Sequence, residues 1–148
     1  MRRPRVDVGR DGVRRGLAPA RVRAIVRTVL RAEGARASAV SVTFVSDAVM
    51  RRLNARFLGR RRPTDVIAFG MDAGDGSRVG DVYVSPDAAR RSAAAERVPV
   101  REELVRLVVH GTLHVIGHDH PEGPSRVRSA MWRRQEALVR RVRAGAGR

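Results

Sequence analysis

Three histidines define the chemistry open to this chain. All four histidines of its 148 residues fall in the stretch from His110 to His120, which reads HGTLHVIGHDH. His110, His114 and His120 follow the spacing H-x-x-x-H-x-x-x-x-x-H. Residues four apart on a helix share a face, with Cβ atoms roughly 5–6 Å apart. Two imidazoles so placed can reach one zinc ion at about 2.0–2.1 Å. Gly117 supplies the left-handed residue that commonly ends a helix, so the chain can turn back and offer His120 as a third ligand. Three protein ligands leave one position of a tetrahedral zinc open to water, the catalytic rather than the structural arrangement. One Zn2+ per chain is therefore expected. A single histidine here would read more simply as a hydrogen-bonded core residue; three at this spacing read as a metal site. His118 lies between the ligand positions and reads as a surface or substrate-facing residue. Asp119 reads first as a turn residue and second as a partner that orients a ligand.

One absence limits the chemistry. The zinc-peptidase motif H-E-x-x-H-x-x-G-x-x-H shares this spacing of histidines and glycine, and its glutamate is the general base. Here that position is Gly111. The metal geometry is kept while the peptidase's proton acceptor is not.

Composition points to a nucleic-acid partner. The formal net charge is +16, and all 31 basic residues are arginine, against 15 acidic ones. Phosphate neutralisation supplies most non-specific nucleic-acid affinity, and the planar guanidinium binds phosphate through two hydrogen bonds. A coding bias toward arginine accounts for the missing lysine but not for the two-to-one basic excess. Aromatics, at 3%, are too few for a base-stacking sheet of the RRM kind. With no cysteine, disulfides, thiolate ligands and a cysteine nucleophile are all excluded. The N-terminus has charge but no apolar h-region, and no run nears the roughly 20 apolar residues of a membrane span. A soluble, cytoplasmic protein with no membrane partner is expected.

The elements that must position the histidines follow from hydrophobic periodicity. Leu104, Val105, Leu107, Val108, Val109, Leu113, Val115 and Ile116 make the histidine helix apolar on nearly every side, the pattern of a core helix. It should start near Arg101, with Glu102 and Glu103 in its first turn, where the dipole favours anions. Upstream, Arg5–Val8 alternates as a short strand. Pro19 opens a helix burying Val22, Ile25, Val26, Val29 and Leu30 and ending near Gly34. Ala39–Val45 is a β-branched strand. Ser46 or Asp47 can cap a helix with Val49, Met50, Leu53 and Phe57 on its buried face and Gly59 at its end. Arg60, Arg61 and Arg62 then form a basic loop. Thr64–Phe69 and Gly80–Ser85 are strands joined by a flexible, glycine-rich loop over Gly70–Gly80. Pro86 opens a helix through Arg97. Pro121 breaks the chain before a last helix, from about Ser125, that buries Val127, Met131, Leu138 and Val142, and residues 143–148 should fray. Thr64, Asp65 and Ser85 lie at strand ends and either face the site or simply cap their elements. The result is one α+β domain over residues 1–148: a mixed sheet of about four strands with about five helices, and a metal site on a core helix and the turn behind it.

With these residues placed, the chain resembles the YbeY family of bacterial rRNA maturation factors, which are small metal-dependent endoribonucleases. The resemblance rests on HGxLHxxGxDH at His110–His120, LNxxF at Leu53–Phe57, PTDVIAF at Pro63–Phe69 and GDVYVS at Gly80–Ser85, in the family's order. It implies zinc held by His110, His114 and His120. It also implies hydrolysis of single-stranded RNA, notably at the 3′ end of small-subunit rRNA, and a part in ribosome quality control. The implied partners are rRNA and the small ribosomal subunit or its assembly factors. One position departs from the family: the arginine that commonly follows the aromatic of LNxxF is Leu58 here. Arg60, Arg61 or Arg62, together with His118, are the candidates for contact with RNA. Two competing readings follow from the residues: an RNA-binding assembly factor with a structural metal, and a metallopeptidase-like hydrolase, which Gly111 disfavours.

Overall fold

The computed structural model describes residues 3–59, 64–118 and 129–146. Its elements in chain order are β1 (Arg5–Asp11), α1 (Pro19–Ala32), β2 (Ala37–Val45), α2 (Asp47–Leu58), β3 (Val66–Asp72), β4 (Arg78–Val84), α3 (Pro86–Glu96), α4 (Val100–Val115) and α5 (Ala130–Ala146). The strands form one mixed sheet in the order β1-β2-β4-β3. β1 and β4 run parallel to β2, and β3 runs antiparallel to β4. Among the described residues, four strands and five helices make the α+β architecture that the periodicity predicts.

Alternation along the strands creates two hydrophobic faces. Val82 and Val84 of β4 point into a core built with α1, α4 and α5, whereas Tyr83 and Ile67 point the other way, under Val49 and Met50 of α2. The central element is α4, which packs against α1, α3 and α5 and against β3 and β4. Its Leu104, Leu107, Val108, Val109, Leu113 and Val115 are all buried, so a helix apolar on nearly every side has a partner on each.

Local chemistry explains most boundaries. Pro19 sits in the first turn of α1, and its five predicted apolar residues are all buried. Ser46, not Asp47, caps α2 by accepting a hydrogen bond from the Val49 amide at 3.2 Å, and Gly59 ends that helix at φ 64°. Ser85 caps α3 in the same way, accepting from the Ala88 amide at 3.1 Å.

The structure corrects two expectations. The Gly70–Gly80 stretch is mostly strand: β3 runs on to Asp72, β4 begins at Arg78, and Gly70 pairs with Gly80. These glycines serve close approach rather than a turn, because a Cβ on Gly80 would lie 2.7 Å from Val115 Cγ1. Phe57, expected in the core, is 50% exposed; its ring meets Phe69 edge to face at 5.2 Å, beyond the reach of the closed cluster under α2. The last described helix starts at Ala130, so the expected start at Ser125 and the burial of Val127 fall outside the described residues. Helical backbone runs to Ala146, within the stretch 143–148 where fraying is expected. Burial of Val142 and an ion pair from Arg143 to Glu102 on α4 hold the last turns down. Among the described residues, no helix is long and apolar enough to cross a membrane.

Candidate metal centre

One turn apart on α4, His110 and His114 bring their Nε2 atoms to 3.1 Å. Their rings lie 4.7 Å apart between centroids at 72°. Two nitrogens at about 2.0–2.1 Å on a tetrahedral zinc would be separated by roughly 3.3 Å, so the pair is set within a few tenths of an ångström of a ligating geometry. The helix end is built for reversal. Gly117 adopts φ 103°, its amide donates to the His114 carbonyl at 3.0 Å, and the His118 amide donates to the Leu113 carbonyl at 2.9 Å. These two bonds form a Schellman motif with Gly117 at its left-handed position. His120, the expected third ligand, and Asp119 lie outside the described residues, as do Arg60, Arg61 and Arg62. Among the described residues no group of three potential ligands is assembled. The two that are described fit zinc.

A partner fixes the ring of His110. Gln135 of α5, buried at 2% exposure, places its Oε1 2.6 Å from His110 Nδ1. Its Nε2 donates to Glu136 Oε2 at 3.1 Å. Glu136 in turn accepts two hydrogen bonds from Arg106, each at 2.9 Å. Arg106 also reaches Glu103 at 3.1 Å and Glu102 at 3.4 Å. Burial pushes the Glu103 carboxyl above its ordinary value, with the Arg106 charge working against it. Burial also acts to raise Glu136, but hydrogen bonds from Arg106 and Gln135 overcome it and leave the group below its ordinary value. Donation to the Glu136 carboxylate holds Arg106 above its ordinary value despite burial. Arg106, Gln135 and Glu136 were not among the residues that the histidine spacing singles out. A signal was present: Gln135 falls on the apolar stripe Met131, Leu138, Val142, where a polar side chain needs a partner.

This network lines one wall of a cleft of about 410 Å³ that also holds His110, Asp65 and Trp132. Of the three strand-end candidates, Asp65 therefore reaches the cleft. Ser85, fully buried, caps α3 and donates to Asp47 Oδ1 at 2.8 Å. Among the described residues, Thr64 Oγ1 makes a long hydrogen bond to the Val66 carbonyl, at 3.4 Å. His118 is partly exposed and stands 4.0 Å from Glu33, which also accepts from Arg134 at 2.6 Å. It belongs to the surface and has a carboxylate partner there. Gly111 faces the sheet. A Cβ on it would overlap Val82 Cγ1 and stand 3.1 Å from Cγ2, so a glutamate at this position would be driven into the core rather than toward a substrate.

Comparisons with known proteins find relatives over most of the chain. The sequence model of the family described as "Endoribonuclease YbeY" matches residues 13–143. The "Endoribonuclease YbeY" of Syntrophus aciditrophicus is 34% identical over 122 residues, spanning 79% of this chain and 76% of that protein. That of Geobacter sulfurreducens is 39% identical over 127 residues, spanning 82% of each. The solution structure of TM1509 from Thermotoga maritima superposes with a TM-score of 0.62 at 27% identity, covering 93% of this chain and 90% of that one.

Proposed function

The chain belongs to the endoribonuclease YbeY family, and from that premise we propose that it is a zinc-dependent endoribonuclease acting on single-stranded RNA. Its place is in rRNA maturation at the 3′ end of small-subunit rRNA and in ribosome quality control. rRNA and the small subunit or its assembly factors are its partners. The observation that carries the reading is the pair of Nε2 atoms 3.1 Å apart beside an open cleft. His110 and His114 would hold the ion from α4, and His120 would complete the set from the turn behind Gly117.

Zinc so held supplies a Lewis acid for a phosphoryl oxygen and lowers the pKa of a water toward about 7. The chain's own residues do the remaining work. Gln135 keeps His110 aimed. The Schellman turn at Gly117 ends α4 three residues before His120. Arginines on the exposed side of α2, Arg51, Arg52 and Arg56, attract the phosphate backbone. No proton acceptor comes from position 111, where packing on Val82 leaves no room for a side chain, and this separates the site from zinc peptidases.

The test is incubation of zinc-loaded protein with single-stranded RNA, beside a His114→Ala protein. Cleavage by the first and at least a hundredfold loss in the second is expected. Undiminished cleavage by His114→Ala would assign the activity to a contaminant. Salt-sensitive RNA binding without turnover at any zinc loading would favour an assembly factor with a structural metal.

A further inference from the structure

We propose that Arg106, Glu136 and Gln135 form a relay of fixed hydrogen-bond polarity that sets the tautomer of His110 and so makes its Nε2 a metal ligand. The inference rests on the zinc reading of the site but concerns residues that neither the histidine motif nor the family resemblance assigns. Each link has only one possible direction. A guanidinium can only donate, and an ionised carboxylate can only accept. Arg106 donates through Nε and Nη2 to both oxygens of Glu136, a two-pronged pairing that fixes the carboxylate plane. Glu136 Oε2 must then face the amide group of Gln135 that donates, its Nε2. The two ends of a glutamine amide are distinguished only by such partners, and here the partner settles it: Oε1 is left to face His110 Nδ1. An oxygen there accepts, so Nδ1 carries the proton and Nε2 keeps its lone pair, directed at His114.

The alternative tautomer, with the proton on Nε2, would set two acceptors against each other at 2.6 Å and block the ligating nitrogen. Burial sharpens the choice. Gln135 is 2% exposed, so water cannot substitute for a lost partner, and unpaired buried polar atoms are costly. Most metal-bound histidines pass their second N–H to a carboxylate or a backbone carbonyl. Here a neutral amide takes it, and the carboxylate stands one link further back. Gln135 and Glu136 are therefore positioning residues that act through His110, and α5 is the element that holds α4's first ligand in register.

Two readouts test this without reference to cleavage: the His110 tautomer from nitrogen NMR shifts of metal-free protein, and zinc affinity from competition with a chromophoric chelator. In the native sequence we expect the Nδ1–H form. Gln135→Leu should mix the tautomers and weaken zinc 10–100-fold, with a cooperative melt of the metal-free protein confirming that it folds. Glu136→Gln never touches His110, yet it should mix the tautomers by freeing the Gln135 amide to flip; it also serves if Gln135→Leu fails to fold. A native tautomer and native affinity in both Gln135→Leu and Glu136→Gln would overturn the proposal. If the native protein holds the Nδ1–H form, loses it in these variants and binds no zinc, the relay stands and the zinc reading falls.

Discussion

The backbone of Val115 on α4 lies directly over Gly70 on β3, where an added Cβ would stand 2.7 Å from Val115 Cα and 2.8 Å from its carbonyl carbon. Contacts that short do not occur, and here the obstacle is backbone, which cannot swing aside as a side chain can. His114, which we propose as a metal ligand, is the residue before Val115, so whatever separates helix from sheet at Gly70 also moves the histidine pair. We expect Gly70→Ala to cost roughly 1–3 kcal/mol, the usual range for overpacking, in urea denaturation of the metal-free protein. Zinc affinity should fall as well. Gly145→Ala is the control: nothing lies within 4 Å of its Cβ position, and relief from a helical glycine should gain up to about 1 kcal/mol.

Among the described residues, Arg106 is the cation that ion-pairs with both Glu136 and Glu103, and its side chain is 16% exposed. Removing one partner of a buried ionic cluster is far costlier than the net worth of the pair, because the remaining charges stay buried. Arg106→Met should therefore destabilise the fold by roughly 3 kcal/mol at neutral pH. Burial already raises the Glu103 carboxyl, and loss of the guanidinium raises it further. As the pH falls the carboxyls protonate, Glu103 first because its value is raised, and the penalty shrinks, so the variant's stability should converge on the native protein's toward acid pH. Denaturation midpoints measured from pH 8 to pH 5 check both the size and the slope.

How much of this was legible depends on whether a residue's role is local. The stripe from Val22 to Leu30 and the apolar faces of α4 announced themselves, because helix period and burial are properties of one segment. The Gly117 turn was legible for the same reason. Gly70 and Gly80 misled, since glycine near aspartate signals a loop in any local reading, whereas here Val115, distant in sequence, requires the absent side chains. Phe57 was misassigned because α2's apolar face is wider than the surface available beneath it. Gln135 was passed over although it interrupts a buried stripe, because its meaning depends on His110, 25 residues away. What a segment does to itself shows in its sequence; what two segments do to each other shows only once they are docked.

Asp47 ties α2 to α3 through charge. A hydrogen bond from Arg91 is the main cause holding its carboxyl below the usual carboxylate range; burial opposes the shift, and Ser85 adds to it. A depressed folded-state value means that the stabilisation is present above the unfolded value, about 3.9, and is lost as the pH drops through the lower folded one. Asp47→Asn keeps an acceptor for Ser85 but loses the charge. It should cost about 1 kcal/mol at pH 7, a figure kept small because Arg91 is well exposed. Its stability should then decline less steeply below pH 4 than the native protein's. Parallel curves over that range would mean that Asp47 is not the group responsible.

The side of α2 turned to solvent bears on RNA. Arg51, Arg52 and Arg56 are exposed there, and the Arg56 guanidinium stands 5.3 Å over the half-exposed ring of Phe57. A cation held against an aromatic at the surface loses less conformational entropy on meeting a phosphate than a free side chain does. If RNA crosses this helix, each phosphate contact removed should lower the slope of log affinity against log salt by about 0.7, the single-strand value. Arg52→Ala with Arg56→Ala should then reduce the slope by between about 0.7 and 1.4 and weaken binding most at low salt. Zinc content and melting temperature should stay unchanged, because both residues lie on the surface and away from His110. Fluorescence of Trp132, the chain's single tryptophan and a wall of the cleft beside His110, can follow binding in the same titration. An unchanged slope would place the RNA path on another face of the molecule.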